Sequence, residues 1–219
     1  MEGKTKIYLV RHGTTDDNRK GIFQGSRDVP LGKLGKKQAE CLQKKFADIE
    51  LDAVYTSPLM RAAETAEQIQ KAGKVPLFRL DGLRAVNCGA LEGHNSTYNQ
   101  KMYPEAMYAM HYHPAAFRAP GAESGLEAYE RIVKTIDGIA AKHPGGTVAI
   151  VSHGFVIQLY LGYAKHVALS EIEPYIVGNC SVCELSYDNK GAVVLERMND
   201  EDHIPENIRF FEAEDFLHA

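Results

Sequence analysis

Short apolar runs alternate with longer amphipathic stretches along most of the chain, and this alternation constrains the fold more than any other feature. The run at 147–151, Thr-Val-Ala-Ile-Val, is almost wholly apolar, and a helical stretch at 155–164 follows it directly. A strand without polar alternation is typical of a parallel sheet covered on both faces. The pattern therefore predicts an α/β fold, a three-layer sandwich with a mostly parallel central sheet flanked by helices.

The remaining elements are predicted by the same criteria. Further strands are expected at 6–10, 52–56 and 75–80. Amphipathic helices, recognised from apolar residues near the 3.6-residue spacing, are expected at 34–49, 59–72 and 126–142. Two short runs joined by Asp-Asn-Lys-Gly predict a closing β-hairpin at 182–187 and 192–197. With no internal repeat or low-complexity linker, residues 1–219 are predicted to form a single domain.

The segment at about 94–120 differs in character from the rest of the chain. It is rich in tyrosine, methionine and histidine and is interrupted by Pro104, Pro114 and Pro120. We expect it to form a helical lid insertion laid over the sheet. Aromatic and methionine side chains suit either the cover of a pocket or a contact with a partner chain, so a homodimer is possible.

Charge and hydropathy narrow the classes of function. A net charge of −4 argues against a nucleic-acid binder, which needs a basic surface. The apolar run at 7–10 is too short for a signal-peptide core or a membrane span, so no membrane association and a cytoplasmic location are expected. Cys180 and Cys183 have the spacing of a metal or redox pair, but the strand-like sequence around them is expected to turn them to opposite faces.

Three predicted strands end in polar residues that suit phosphate chemistry. The first ends in Arg11-His12-Gly13, the second runs into Ser57-Pro58 with Arg61 shortly afterwards, and a later strand ends in Ser152-His153-Gly154. Ligands of open α/β sheets bind at the carboxyl ends of the strands. If these strands are neighbours, two arginines and two histidines converge there. Such a group suits a dianionic phosphoryl group, because guanidinium matches phosphate oxygens with paired hydrogen bonds.

A set of longer strings contains these residues and extends along the chain. The strings are Leu9-Val10-Arg11-His12-Gly13-Thr14 with Asn18, Phe23-Gln24-Gly25, Asp28-Val29-Pro30-Leu31, Tyr55-Thr56-Ser57-Pro58-Leu59-Met60-Arg61-Ala62, Glu64-Thr65-Ala66, Pro120-Gly121-Ala122-Glu123-Ser124, Val151-Ser152-His153-Gly154 and Asn199-Asp200 with His203. In this order they make the chain similar to the histidine phosphatase superfamily, also called the phosphoglycerate mutase-like family. The matches run from residue 7 to about 204 and so cover most of the chain.

The resemblance implies a role for each of these site residues. His12 would be the nucleophile that attacks phosphorus and becomes a phosphohistidine. Arg11, Arg61 and His153 would hold the phosphoryl oxygens. Two further residues would line the same pocket and bind substrate, Asn18 and Gln24. The resemblance implies a small-molecule phosphate ester as substrate and neither a metal nor an organic cofactor.

The chain departs from the family pattern where a proton donor for the leaving oxygen is expected. The family usually has a glutamate at the position that Ala85 occupies here, and alanine carries no proton. Three explanations are open. The alanine could be an engineered change, another acid could act instead, or the chain could be a catalytically weak relative that binds phosphate compounds. The candidate acids are Glu92, Glu123 and Asp16.

Two alternatives to a phosphatase are considered. Cofactor-dependent phosphoglycerate mutases resemble the chain in the same motifs but carry a longer insertion before the glycine-glutamate-serine string. The insertion here offers only Lys101 and Arg118 as cations for a carboxylated substrate. A non-catalytic phosphate-binding protein is the second alternative, motivated by Ala85. We favour a phosphatase that hydrolyses a small phosphate monoester.

Overall fold

A computed structural model of the chain describes residues 3–172, 175 and 177–210. One mixed sheet lies at its centre, with the strands in the order β3-β2-β4-β1-β5-β6. β1 to β4 pair in parallel, while β5 pairs antiparallel with both β1 and β6. The strands are β1 (Thr5–Arg11), β2 (Ala53–Thr56), β3 (Leu77–Arg79), β4 (Thr147–Ser152), β5 (Val182–Tyr187) and β6 (Val193–Asp200).

Helices cover both faces of the sheet, so the predicted α/β sandwich is confirmed. The seven α-helices of the described residues are α1 (Asp16–Arg19), α2 (Lys33–Lys45), α3 (Met60–Gly73), α4 (Ser96–Met102), α5 (Pro104–Tyr112), α6 (Gly125–Ala140) and α7 (Gly154–Ala164). α2 packs with α3, and α6 packs with α7. A hydrophobic core lies on each face of the sheet, and successive residues of β1 alternate between the two cores. Tyr8 and Val10 join the α2 and α3 side, whereas Ile7 and Leu9 join the α6 and α7 side.

The element ends differ from the predicted ones by a few residues. α2 ends at Lys45, with Phe46 as its C-cap, and not at residue 49 as the apolar spacing predicted. Gly73 was expected to end α3, but it is the last helical residue. The left-handed cap position is taken by Lys74, at φ 51°. Ser124 begins α6 with a capping box, in which its hydroxyl accepts from the Glu127 amide and the Glu127 carboxylate accepts from the Ser124 amide.

Cys180 and Cys183 lie on opposite faces of the sheet, as predicted. Both are buried free thiols, and they belong to the two different cores. Burial raises the pKa of the Cys183 thiol to about 11, and it raises the pKa of Cys180 as well. Protonated thiols in apolar surroundings are inert, so both cysteines act as packing residues.

The segment 94–120 forms α4, α5 and a short 3-10 turn at Pro114–Ala116. Asn95 caps α4 through its side-chain oxygen, and Pro104 occupies the first turn of α5, where its missing N–H costs nothing. Met107 and Phe117 are buried in the core on the α6 and α7 side. The described part of the chain contains no helix long and apolar enough to cross a membrane.

The parallel strands carry their predicted polar ends to one edge of the sheet. Arg11 at the end of β1 pairs with Ser152 at the end of β4, and Thr56 at the end of β2 pairs with Val151. The pairing continues one residue further, since the His12 amide donates to the Ser152 carbonyl over 3.0 Å. The residues after β1, β2 and β4 are therefore held side by side by backbone hydrogen bonds.

Candidate active site

His12 and His153 lie next to each other at this edge. His12 follows Arg11, and His153 follows Ser152. Arg11 and Ser152 are paired directly across β1 and β4, so the sheet register sets the separation of the two histidines. Their ring centroids are 5.1 Å apart, with the rings inclined by 57°. Both side chains are buried, at 4% exposure each. Two buried imidazoles in contact form the centre of the candidate site.

The hydrogen bond of the His12 ring determines its tautomer. Nδ1 of His12 lies 2.8 Å from the carbonyl oxygen of Gly13. A carbonyl oxygen only accepts hydrogen bonds, so Nδ1 carries the proton of the neutral ring. The lone pair of neutral His12 is then on Nε2. Nε2 is therefore the nitrogen able to attack an electrophile.

The surroundings of His12 favour its neutral form. Burial lowers the pKa of His12 well below its usual range, and the positive charges of Arg61 and Arg11 lower it further. The carbonyl of Gly13 acts in the opposite direction but is the smallest of these effects. The imidazole is thus uncharged and nucleophilic at neutral pH.

His153 is the N-cap residue of α7, in extended backbone conformation. Burial lowers the pKa of His153 well below its usual range, and the neighbouring Arg61, His12 and Arg11 act in the same direction. Both of its ring nitrogens are buried and have no hydrogen-bond partner among the described residues. A buried polar group without a partner is costly, and a bound phosphoryl oxygen accepting from the His153 N–H would remove that cost.

Arg61 lies in the first turn of α3 and is fully buried. Its two Nη atoms donate to the carbonyl oxygens of Gly25 and Arg27, both over 2.8 Å. Its Nε is buried without a partner in the described structure. Burial lowers the pKa of Arg61 to about 10, with the charge of Asp28 partly opposing the shift. Arg61 therefore remains a guanidinium at neutral pH, with one donor still to be satisfied.

Arg11 supplies the second positive charge of the site. Its Nη1 donates to the carbonyl oxygen of Val177 over 2.6 Å. A Cβ placed on Gly154 would lie 3.2 Å from the Arg11 Nε, so the guanidinium lies directly against the first residue of α7. The amino end of a helix carries partial positive charge and free N–H groups. Arg11, His153 and the start of α7 together present positive charge and N–H groups, which suit an anion.

Three buried polar residues to which the sequence assigned no role hold the loop after β1 in place, although Thr65 lies within one of the matching strings. Thr65 of α3 accepts from the Gly13 amide over 3.0 Å, and Gln38 of α2 accepts from the Thr14 amide over 2.9 Å. Asn179 donates to the His12 carbonyl over 2.9 Å. Only contacts across the fold identify these residues, because none of them stands in a motif whose chemistry suggests the role.

The two predicted pocket residues have different surroundings. Asn18 accepts from the amide of Thr15 over 3.1 Å and completes the capping box of α1. Gln24 is buried beside Gly25, and its side-chain oxygen has no partner in the described structure. Since Gly25 is bound by Arg61, Gln24 lies close to the site and has an unused polar group.

Glu92 connects two loops near the site. Its carboxylate accepts from the amide and hydroxyl of Ser26 and from the amide of Cys88, at 2.7, 2.9 and 2.9 Å. It packs against Gly25, where a Cβ would lie 2.1 Å from the Glu92 Oε1. Gly25 also has a φ of +51°, which favours glycine. Glu92 thus fixes the loop whose carbonyls hold Arg61.

Glu123 forms a bidentate ion pair with Arg131. The sequence analysis did not identify Arg131 as a residue of the site. Arg131 Nε and Nη2 donate to the two carboxylate oxygens, both over 2.7 Å. Nη1 of Arg131 also donates to the carbonyls of Gly82 and Arg84. The charge of Arg131 contributes to the low pKa of His153. This ion pair therefore lies behind the site and anchors the 82–85 segment.

A metal centre finds no support in the described residues. They contain no group of three or more histidine, cysteine or acidic side chains placed to hold a metal ion. Of the two histidines near the end of α5, His113 is exposed, whereas His111 is partly buried with its Nδ1 2.6 Å from the Met107 carbonyl oxygen. The candidate site instead places the neutral His12 ring near the guanidinium groups of Arg61 and Arg11.

Comparison with known proteins identifies the family. Residues 7–201 match the sequence profile of the histidine phosphatase superfamily (branch 1). The chain belongs to this superfamily.

Individual relatives define the class of enzyme. The chain is 32% identical over 157 residues to a Bacillus subtilis protein named uncharacterized phosphatase PhoE, covering 72% of this chain and 76% of that one. It is 28% identical over 191 residues to phosphoserine phosphatase 1 of Hydrogenobacter thermophilus, covering 87% and 90%. The structure of Bacillus stearothermophilus YhfR is similar, with a TM-score of 0.86 at 30% identity over 92% of this chain and 100% of that one. The chain is a phosphatase of this superfamily.

Proposed function

We propose that the protein hydrolyses a small phosphate monoester through a phosphohistidine intermediate on His12. The observation that carries the proposal is the hydrogen bond from His12 Nδ1 to the Gly13 carbonyl, which leaves the lone pair on Nε2 of a neutral ring. The charges of Arg61 and Arg11 act on His12, and the ring of His153 lies 5.1 Å from its ring, centroid to centroid. Arg11, Arg61 and His153 are the proposed ligands of the phosphoryl oxygens.

The proposed reaction has two displacements. Nε2 of His12 attacks phosphorus, and the bond to the leaving oxygen breaks. Water then attacks the phosphohistidine and releases phosphate. The guanidinium groups of Arg11 and Arg61 and the N–H of His153 stabilise the charge on the equatorial oxygens in both steps. Gln24, with a buried and unpaired side-chain oxygen, and Asn18 are proposed to complete the substrate pocket.

The mutase alternative gains no support from the 94–120 segment. Its two cations, Lys101 and Arg118, are both exposed. A mutase must protect its phosphoenzyme from water and bind a carboxylated substrate on basic groups. The segment instead exposes Tyr98, Met102 and Tyr108. We therefore propose hydrolysis, with the segment acting as a lid; the homodimer and the cytoplasmic location stay predictions.

The stereochemistry at phosphorus tests this proposal. Two successive in-line displacements retain the configuration at phosphorus, whereas direct attack by water inverts it. A p-nitrophenyl phosphorothioate made chiral with 16O and 18O and hydrolysed in 17O-labelled water gives a chiral thiophosphate, in which we expect retention. Inversion would exclude a covalent intermediate on any residue and would refute the proposal.

A further inference from the structure

We propose that this phosphatase acts on phosphate compounds whose leaving group departs as a stable anion, namely aryl phosphates and acyl phosphates, and not on alkyl monoesters. The inference rests on the proposed attack by His12 and narrows its substrate class. It follows from the groups around the two histidines and from what each of them does with its protons.

The bonds and electron pairs of the first step define what the leaving group needs from the enzyme. The His12 Nε2 lone pair forms the P–N bond, the P–O bond breaks, and its electron pair goes to the leaving oxygen. An alkoxide formed in this way needs a proton from the enzyme, whereas a phenolate or a carboxylate is stable without one. In the second step the water oxygen bonds to phosphorus, the P–N electrons return to Nε2, and both water protons leave on the dihydrogen phosphate product.

Residue 85 is the position at which the family resemblance expects the acid, and it is an alanine. The 82–85 segment is fixed beside the site. The Ser152 hydroxyl donates to the Leu83 carbonyl over 2.9 Å, and Ser152 directly precedes His153. Arg131 binds the carbonyl of Arg84 from the other side. The segment is thus held in place next to His153, and Ala85 offers no proton to a leaving group.

Glu92 does not replace the missing acid. Its carboxylate receives two backbone amides and one hydroxyl, from Ser26 and Cys88, at hydrogen-bonding distances of 2.7 to 2.9 Å. A Glu92 side chain that turned towards a leaving oxygen would give up these hydrogen bonds and loosen the loop that positions Arg61. Its structural function conflicts with donating a proton there.

Glu123 is engaged as well. Both of its oxygens accept from the Arg131 guanidinium in a paired, charge-assisted arrangement. To reach a leaving oxygen, Glu123 would have to give up this ion pair. Asp16, the third candidate, is an exposed residue in the first turn of α1. We therefore assign the proton transfer to neither residue.

The histidines do not supply the proton either. In a triad-type site a carboxylate beside a histidine stabilises its protonated form. Neither ring here has a carboxylate as hydrogen-bond partner in the described structure: His12 Nδ1 is paired with the Gly13 carbonyl, and both ring nitrogens of His153 are without a partner. Burial, followed by the charges of Arg61 and Arg11, lowers the pKa of both rings well below the usual range. Each can donate a hydrogen bond through its N–H, but neither carries a second proton to release.

A series of phosphate compounds matched in size tests the inference. The series consists of p-nitrophenyl phosphate, phenyl phosphate and benzyl phosphate, with acetyl phosphate as a small acyl phosphate. Phenyl and benzyl phosphate differ by one methylene, but the second has an alkoxide as its leaving group. We expect kcat/KM to fall from p-nitrophenyl phosphate through phenyl phosphate to benzyl phosphate, by more than about a thousandfold in total. A fall of this size is expected when no general acid protonates the leaving group. Acetyl phosphate should rank with the fast substrates.

Two substitutions at position 85 provide the matched comparison. Ala85 is only partly buried, so a longer side chain can be accommodated. We expect Ala85→Glu to raise kcat/KM for benzyl phosphate by about a hundredfold to ten-thousandfold, the usual contribution of a general acid. Ala85→Gln has the same size but no acidic proton and should leave benzyl phosphate slow. Neither variant should change p-nitrophenyl phosphate by more than a few fold.

The possible results separate this inference from the proposed function. If wild-type enzyme hydrolyses benzyl phosphate within tenfold of phenyl phosphate, the inference is wrong while attack by His12 stands. Glu92→Gln and Glu123→Gln would then identify the donor by a loss confined to benzyl phosphate. An Ala85→Gln gain equal to that of Ala85→Glu would also overturn the inference. Failure to hydrolyse even p-nitrophenyl phosphate would refute the proposed function itself.

Discussion

Replacing Arg61 by methionine should reduce turnover far more than stability, and the structure gives both magnitudes. The guanidinium donates two charge-assisted hydrogen bonds, each worth about 1.5–3 kcal/mol. Its burial lowers the pKa of Arg61 to about 10, which corresponds to a cost of about 3 kcal/mol for keeping the charge in the folded protein. The two effects largely offset each other, so Arg61→Met should lower the free energy of unfolding by no more than about 3 kcal/mol.

The loss of turnover in Arg61→Met is not offset by any comparable gain. Loss of one preorganised donor to a developing oxyanion costs about a hundredfold to a thousandfold in rate. We therefore expect kcat/KM for p-nitrophenyl phosphate to fall at least that far in Arg61→Met. Urea unfolding gives the stability and steady-state kinetics the activity, with Arg61→Lys as the variant that keeps the charge but loses the paired geometry. A large loss of stability with turnover unchanged would refute the placement of Arg61 at the reacting group.

Three further predictions concern the histidines, Gly25 and Tyr187. In histidine-labelled apo protein, the NMR signals of His12 and His153 should titrate below the free-histidine pKa of about 6.5, because burial and neighbouring arginines lower both pKa values. Titration of either ring at the usual value would contradict this. Since their pKa values are lower in the folded than in the unfolded state, the free energy of unfolding should fall as pH drops below about 6.5, by up to about 1.4 kcal/mol per pH unit for each histidine. Gly25→Ala should destabilise the protein by at least about 1–2 kcal/mol and lower kcat/KM, because the added Cβ meets Glu92 and the φ of residue 25 is positive. Unchanged unfolding and kinetics would show that this loop is not a rigid support for Arg61. Tyr187 lies at the end of the sheet opposite the candidate site, and Tyr187→Phe removes its 2.7 Å hydrogen bond to Asp137. This variant should lose about 1–2 kcal/mol of stability in urea unfolding without a change in kcat/KM. A loss of activity would show that this end of the sheet is coupled to the candidate site.

The fold was predictable from the sequence because each strand and helix has its own local pattern. The apolar run of β4 followed at once by α7 indicated a parallel sheet, and all six strands lie at or near their predicted positions. The differences are the short helix α1, which was not predicted, and the ends of several elements. At Lys74 the helix ends on a left-handed residue that is not glycine, although glycine is the usual residue there. Tertiary packing decides such ends, and a local pattern does not record it.

The site was predictable only where a motif carried its chemistry. Arg11, His12, Arg61 and His153 were inferred from strand ends, and the sheet register brings the two histidines to 5.1 Å. Arg131 was missed because it lies in the middle of α6, where an arginine is usually a surface residue. Its importance comes from contacts with carbonyls more than forty positions away in the sequence.

The roles of glutamates near the site were equally invisible in the sequence. Glu92 and Glu123 are chemically capable acids, and no local pattern distinguishes a free carboxyl from an engaged one. Only the fold reveals that Ser26 and Cys88 bind Glu92, and that Arg131 binds Glu123. Hydrogen-bond partners distant in sequence therefore decide between catalytic and structural functions for these residues.

The most direct test of the central claim is a rapid acid-free quench of the enzyme during turnover of p-nitrophenyl phosphate, followed by peptide mapping of the phosphorylated residue. Phosphohistidine is labile in acid and stable in alkali, so digestion and separation are carried out at alkaline pH. We predict one phosphorylated site, Nε2 of His12, with no phosphopeptide in His12→Ala. Phosphate on another residue, or wild-type labelling in His12→Ala, would contradict the assignment of His12 as the nucleophile.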